Sequence, residues 1–474
     1  MLEASQRAEK ILKRAPTVFE IFVEAKHHNP QLPINSLFES AAVLMSLYRE
    51  DWLYMNDEGT SWSVNKREGF QTYSERFREK FGTQYGCSKD GSVHATTART
   101  VNFDSLIQVL KSKDEGLLAE NAWIFDGDFK FLDGSKLSSK VAFNTYPRSG
   151  NSFLRKYLEQ MTGLSTGATV SLHTATSLQV QGLKGEGIVD ERVWIVKAHH
   201  PMLMPGNLTF GHDKIVCCVR NPLDVFVSFA GLSNTMSHTG VPDYQYHEDY
   251  AEWWDWWVTF CAESHKRFFE TYLRQCNEEG RNPIYFVRFE DLLSNPRDEL
   301  EGIYKFLLDL DTLEGTNAQR RLDQIIGMGA DAAKTYKTKK TTGKHNAHLH
   351  KFSQAQLDRI MSLNADLLYY FGYANHPEKE NPTAFFEFKE HREEHLSKYY
   401  GYRQDNEKHL SHVCQNGGWK GPQYHSCTKE MGGFDMYPPE HAQYLQHPSR
   451  DWSERTLGYK DMFEKYPQFA RPKE

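Results

Sequence analysis

Short β-branched runs alternating with amphipathic helical stretches constrain this chain more than any other feature. Val141–Thr145 (VAFNT), Arg192–Val196 (RVWIV), Lys214–Val219 (KIVCCV) and Pro283–Phe289 (PIYFVRF) are apolar runs bounded by charge, glycine or proline, the pattern of buried parallel strands. Helical spacing follows several of them. After VAFNT and the turn-rich YPRSGN, residues Phe153, Leu154, Tyr157, Leu158 and Met161 recur on one helical face. After KIVCCV comes NPLDVFVSFAGL, with Asn221 as N-cap and Pro222 at the first helical position, where a missing N–H costs nothing. Further helices are predicted over Glu248–Gln275, from Asn295-Pro296 to Leu310, and over Gln354–Tyr373. Strands that alternate with helices imply an α/β fold: a three-layer helix–sheet–helix arrangement around a central, mainly parallel, doubly wound sheet.

The chain of 474 residues is long enough for that domain and more. Residues 1–135 are expected to form an N-terminal extension, helical or irregular, packed on the core; residues 136–375 the α/β domain; and residues 376–474 an irregular extension rich in aromatics and histidine. The 56 Lys and Arg against 63 Asp and Glu leave a net charge of −7, so the basic excess of a nucleic-acid-binding protein is missing. No stretch approaches the roughly 20 apolar residues of a membrane span; Ser40–Tyr48 is flanked by Glu39 and Arg49. The opening MLEASQRAEKILKR lacks the apolar core of a secretory signal. Seven cysteines, with Cys217 and Cys218 adjacent in an apolar run, suit buried thiols in a reducing, cytoplasmic compartment. Cys414 and Cys427 lack zinc-site spacing and read as loop residues.

In open α/β sheets, ligands sit beyond the carboxyl ends of the strands, and a loop feeding a helix N-terminus offers backbone N–H groups to an anion. TYPRSGNSF occupies such a place. Gly150 permits close backbone approach, Ser149, Asn151 and Ser152 are short donors, and Arg148 carries a planar charged fork. The triphosphate motif GxxxxGK[ST] is absent, and with it the lysine that reaches β- and γ-phosphates. A second anion site is read at RNPLDVFVS, where Arg220 leaves a strand end and Ser228 follows two helical turns on. KAHHP, Lys197 to Pro201, lies just past a third strand, and its lysine and two histidines suit proton transfer.

In the order TYPRSGNSF, VKAHHP, RNPLDVFVS and VRFEDLLSNPRDEL with IYKFL, the chain resembles the sulfotransferase family across roughly residues 135–375. The resemblance implies an enzyme with 3′-phosphoadenosine 5′-phosphosulfate as co-substrate and no metal. Its 5′-phosphosulfate is expected in the P-loop-like segment Arg148, Ser149, Gly150, Asn151, Ser152 and Phe153, and its 3′-phosphate on Arg220 and Ser228. Lys197 and His199 fall on the family's lysine and catalytic histidine, which makes His199 the expected general base, with His200 as its neighbour and second candidate. Arg148 and Lys197 would stabilise charge on the in-line sulfuryl transfer state. The family's late segment around the 3′-phosphate matches KTKKTTGKHNAHL loosely, through Lys339, Lys340 and Gly343. Arg148 stands where members acting on small molecules usually carry lysine, and RSG followed by Ser-Phe looks more like the carbohydrate-directed branch. The acceptor class is therefore open between small molecule and carbohydrate, and oligomeric state is unassigned.

Other features have plainer readings. Trp253, Trp254, Trp256 and Trp257 on one helix are expected in the core rather than lining an acceptor pocket. The lysine run KTYKTKK reads as a solvated face, and Glu290 and Asp291 as structural. Two rivals remain: a metal-dependent nucleotide kinase on a similar sheet, and a catalytically inactive binding or scaffold protein.

Overall fold

Residues 141–145, 195–198, 214–219 and 284–288 pair side by side because each run carries apolar residues toward both faces, and only a sheet covered by helices on both sides buries them. The computed structural model describes residues 1–29, 31–34, 37–57, 59–170, 176, 178–204, 207–235, 251–276, 282–328, 348–374 and 433–436. Its central sheet has five parallel strands: β6 (Val141–Thr145), β7 (Gly167–Ala168), β8 (Ile195–Ala198), β10 (Lys214–Val219) and β11 (Ile284–Arg288), in the order β11-β10-β6-β8-β7. Val141 of β6 lies opposite Lys214 on one side and Ile195 on the other, and Ile215 of β10 opposite Ile284 of β11.

Side chains alternate between two cores. Ile215, Cys217 and Val219 point into one, and Val216 and Cys218 into the other, as the period of two in a strand requires. On the second face lie α7 (Asn151–Thr162), α11 (Pro296–Leu308) and α12 (Asn317–Gly327), which add Leu154, Leu158, Leu300, Ile303 and Leu322 to that core. The first face carries α8 (Pro222–Thr235), α9 (Ala251–Cys276) and α13 (Gln354–Tyr370). The α/β fold with a central parallel sheet is thus the one read from the sequence.

The N-terminal residues share these cores. Helices α1 (Leu2–Leu12), α2 (Val18–His28) and α3 (Leu37–Arg49) bury Ala4, Ile21, Phe22, Leu44 and Tyr48 against the first face, while α5 (Phe103–Lys111) adds Phe103, Leu106 and Leu110 to the second. Between them lie small antiparallel sheets, one of β1 (Tyr54–Asn56), β2 (Trp62–Ser63) and β3 (Phe70–Gln71) and one of β4 (Tyr85–Cys87) and β5 (Val93–Ala95), with α4 (Tyr73–Phe81) and α6 (Glu115–Glu120). A late segment returns to the domain: β12 (Phe434–Asp435) pairs in parallel with β9 (Met202–Leu203).

One expected strand differs in detail, and one helix is as expected. The strand read over Arg192–Val196 is displaced to 195–198, because Arg192 donates back to the Asp190 carboxylate and holds a turn there. The helix expected after Asn295-Pro296 is α11, and a separate short helix, α10 (Phe289–Ser294), precedes it, divided from it by the extended Asn295. Trp253, Trp254 and Trp257 are buried, with Trp253 stacked on Trp257 at 5.6 Å, so the tryptophan-rich helix serves the core as expected. Among the described residues Cys87, Cys217, Cys218 and Cys261 are free thiols, and no helix is long and apolar enough to cross a membrane. Cys414 and Cys427 lie outside the described residues.

Candidate functional site

Adjacent strands β6 and β10 send their helices to opposite faces, α7 to one and α8 to the other. Such a divergence leaves a crevice beyond the carboxyl ends of the two strands. Into it come the loop Tyr146–Gly150 and the turn Arg220–Asn221. Arg220 Nη1 donates to the Arg148 carbonyl at 3.0 Å, and Arg148 Nε donates to Ser228 Oγ at 3.0 Å. Three residues from two separate motifs therefore meet, and the Arg148 side chain lies at the hydroxyl read for the second anion site. Cys218 Sγ, facing the same loop, donates to the Ser149 carbonyl at 3.0 Å.

The loop is built to leave its donors open. Arg148 and Gly150 both have left-handed backbones, with φ of 70° and 87°; this costs an arginine about 1–2 kcal/mol, and such strain persists only where surroundings over-determine it. At Gly150 a Cβ would lie 2.3 Å from Cδ2 of Phe289, so glycine is required there. No side chain caps α7, which leaves its first N–H groups directed out of the helix with the positive end of its dipole. The Ser149 hydroxyl is buried and, among the described residues, without a partner, an orphan that an anion's oxygen would satisfy. Tyr146 anchors the loop's other end through its hydroxyl, 2.8 Å from Ser264 Oγ. Two expected ligand residues contribute differently: Asn151 Nδ2 is engaged by Thr145 Oγ1 at 3.0 Å, and the Phe153 ring packs against Tyr157 and Phe289. From Phe153 only the helix N-terminus faces the crevice.

Beside this loop β8 delivers Lys197 and His199. Lys197 is buried, and among the described residues its ammonium makes no hydrogen bond or ion pair; burial pulls its pKa down to about 8. His199 Nδ1 lies 2.7 Å from the Thr145 carbonyl. A carbonyl only accepts, so Nδ1 carries the proton and Nε2 keeps a lone pair. Burial first, and then the charge of Lys197, hold the His199 imidazole well below its usual 6.5, neutral near pH 7. His200 is also neutral, pulled down to about 4 by burial, and its carbonyl accepts from the Tyr272 hydroxyl at 2.6 Å. The Thr145 carbonyl thus fixes the His199 tautomer, with Nε2 able to accept a proton.

Beneath Lys197 lies a buried ionic network that motif reading missed. Arg155 on α7 pairs with Glu186 and donates to the Thr166 hydroxyl at 2.8 Å, while Glu159 accepts from Thr166 N at 3.0 Å and from Lys156 at 3.3 Å. Arg155 and Glu186 are fully buried. The available signal was Arg155 and Glu159, four residues apart and flanked by apolar positions of the same helix. Also missed was the part played by Phe289, whose ring lies 4.8 Å beneath the Arg220 guanidinium. Lys339, Lys340 and Gly343 lie outside the described residues.

Residues 139–361 match the family model described as the sulfotransferase domain, which bears out the resemblance carried by the four motifs. A WSCD family member of Aedes aegypti is 27% identical over 183 residues, 38% of this chain and 53% of that protein, so the chain spans about half the length of this relative. The crystal structure of mouse sulfotransferase SULT7A1 complexed with PAP aligns over 65% of this chain and 99% of that one, with 13% identity and a TM-score of 0.31.

Proposed function

We propose that the chain, whose residues 139–361 match the sulfotransferase domain, transfers a sulfuryl group from 3′-phosphoadenosine 5′-phosphosulfate to a hydroxyl or amine of a small-molecule or carbohydrate acceptor. The observation that carries this reading is His199: neutral, its Nδ1–H spent on Thr145, its Nε2 lone pair open beside a buried lysine and an anion loop. The donor's 5′ end would take the open N–H groups of α7 and the orphaned Ser149 hydroxyl, and its 3′-phosphate Arg220 and Ser228, with Arg148 between the two.

In the reaction the acceptor oxygen or nitrogen forms a bond to sulfur as the bond from sulfur to the bridging phosphate oxygen breaks. His199 Nε2 takes the acceptor's proton, an assistance worth about 10²–10⁴-fold. Lys197 meets the charge that grows on the leaving oxygen; it has lost its water on folding and, among the described residues, makes no ion pair, Glu186 acting on it only through space. Arg155 and Glu186 hold the floor on which Lys197 sits. The proposed organisation is a catalytic domain over 136–375 with extensions at 1–135 and 376–474. A reducing, cytoplasmic setting is supported by the free thiols of Cys87, Cys217, Cys218 and Cys261.

The test is calorimetric titration with 3′-phosphoadenosine 5′-phosphate, the desulfated product, in chelator and with ATP as control. Tight binding in chelator with a weak ATP response is expected. No binding, or ATP binding that needs a divalent ion, would overturn the reading. With an acceptor in hand, His199→Ala should lower turnover by about 10²-fold or more while product affinity stays unchanged.

A further inference from the structure

Four consecutive residues where β11 enters α10 connect the crevice to a part of the chain beyond the matched domain. Phe289 lies under Arg220. Glu290 accepts two hydrogen bonds, one per oxygen: Oε1 from the backbone N–H of Asn221 at 3.0 Å, and Oε2 from the Tyr373 hydroxyl at 2.8 Å. Asp291 takes the Arg288 guanidinium through both oxygens at 2.9 Å each, and Arg288 Nη1 donates onward to the Phe371 carbonyl at 2.7 Å. The Tyr373 ring lies 5.4 Å from the Arg288 guanidinium carbon. The turn after α13 is thus pinned to the strand end, and its last contact reaches the residue that follows Arg220.

We propose that Tyr373, acting through Glu290, is a positioning residue for Arg220 and thereby sets how strongly the site recognises a 3′-phosphate. The proposal rests on the assignment of Arg220 to that phosphate. Arg220 crosses the crevice to the Arg148 carbonyl, so its direction depends on the backbone it leaves, and that backbone is held at Asn221 by the carboxylate. Hydrogen bonds to an ionised carboxylate are stronger than neutral ones. Tyr373 fixes the second oxygen as well, which keeps the carboxylate from turning toward the guanidinium and competing with the ligand's anion. Tyr373 lies beyond residue 361, where the sulfotransferase-domain match ends, so this brace comes from the segment that follows the matched domain.

The experiment uses the full chain and two ligands that differ only at the 3′ position: 3′-phosphoadenosine 5′-phosphate and adenosine 5′-phosphate. Tyr373→Phe keeps the ring and removes one hydroxyl. It should weaken the first ligand about fivefold, the size of one ordinary hydrogen bond and part of the charge-assisted one it removes, and the second less than twofold. Glu290→Gln, which keeps the shape and leaves one oxygen for two donors, should reduce the same discrimination. Equal weakening of both ligands, or unchanged discrimination in both variants, would overturn the proposal. Arg220→Ala separates the two layers of the argument. If it abolishes discrimination while Tyr373→Phe and Glu290→Gln do not, positioning fails alone. If Arg220→Ala itself leaves discrimination intact, the phosphate assignment fails and the proposal with it. In the Arg220→Ala background Tyr373→Phe should add nothing.

Discussion

Lys197 makes the proposed donor site testable by pH alone. Burial lowers its pKa from 10.5 to about 8, a gap equivalent to about 3 kcal/mol of lost preference for the charged form. An anion bound beside the ammonium restores that preference and lifts the pKa back toward its ordinary value. Binding of 3′-phosphoadenosine 5′-phosphate should therefore be constant below pH 8 and weaken above it, where the ligand-free protein has already released the proton. With a pKa of about 8 in the free protein and 10.5 in the complex, the dissociation constant rises about 30-fold between pH 7 and pH 9.5, or about 2 kcal/mol. Calorimetry in two buffers of different ionisation enthalpy should show uptake of up to one proton per ligand above pH 8. Stability of the free protein moves the other way. A lysine whose pKa is lowered in the folded state carries its full penalty below about pH 8 and loses it as pH rises toward 10.5. Lys197→Arg, charged throughout, should flatten the binding curve. A wild-type affinity constant from pH 7 to 9.5, or a slope that survives in Lys197→Arg, would refute the assignment of Lys197 to the anion.

Gly150→Ala places a Cβ 2.3 Å from the Phe289 ring on a φ of 87°; it should lower stability by about 1–2 kcal/mol from the backbone alone and abolish product binding, and unchanged thermal unfolding would show that the loop relaxes freely. Glu186→Gln removes one partner of a fully buried ion pair and should cost about 3–5 kcal/mol in urea unfolding; it should also move the pH midpoint of ligand binding downward, because Glu186 holds the Lys197 pKa up. His265, bonded through Nδ1 to Asn364 Oδ1 at 3.0 Å and pulled down from 6.5 to about 4 by burial, contributes stability that is complete above pH 6.5 and lost as pH falls toward 4. Between pH 7 and pH 5 that loss is about 2 kcal/mol, and a His265→Gln variant whose acid sensitivity equals the wild type's would contradict it.

Much of the sheet and its site was legible because both are written in residue types. Residues 141–143, 215–219 and 284–287 are uninterrupted apolar runs, which only a two-sided core accommodates, and the loop and the arginine follow the carboxyl ends of the first two. The strand read over 192–196 lies at 195–198 because Arg192 and Val193 have strand-like neighbours yet belong to a turn fixed by Asp190. Likewise adjacency alone does not separate His199 from His200. The tautomer of His199 depends on the carbonyl of Thr145, a backbone atom of another strand, which no pattern of side chains reveals.

That distinction also explains where the unread parts of the site lie. Motifs name residues that face a ligand, whereas the groups that hold those residues still are main-chain atoms and distant side chains of ordinary composition. Glu290 spends its charge on an amide and a phenol. On the other flank the backbone of β12 supplies the hold: Phe434 N donates to the Pro201 carbonyl at 2.9 Å and Met436 N to Leu203 at 2.8 Å, beside the His199–His200 turn, with Met436 buried and Arg267 over the Phe434 ring. Both braces come from beyond residue 361, one joined to the arginine side and one to the histidine side. A crevice whose two walls are steadied by later chain segments is coupled to those segments, and the placement of Arg220 and His199 is then a property of the chain through at least residue 436, wider than the 139–361 match.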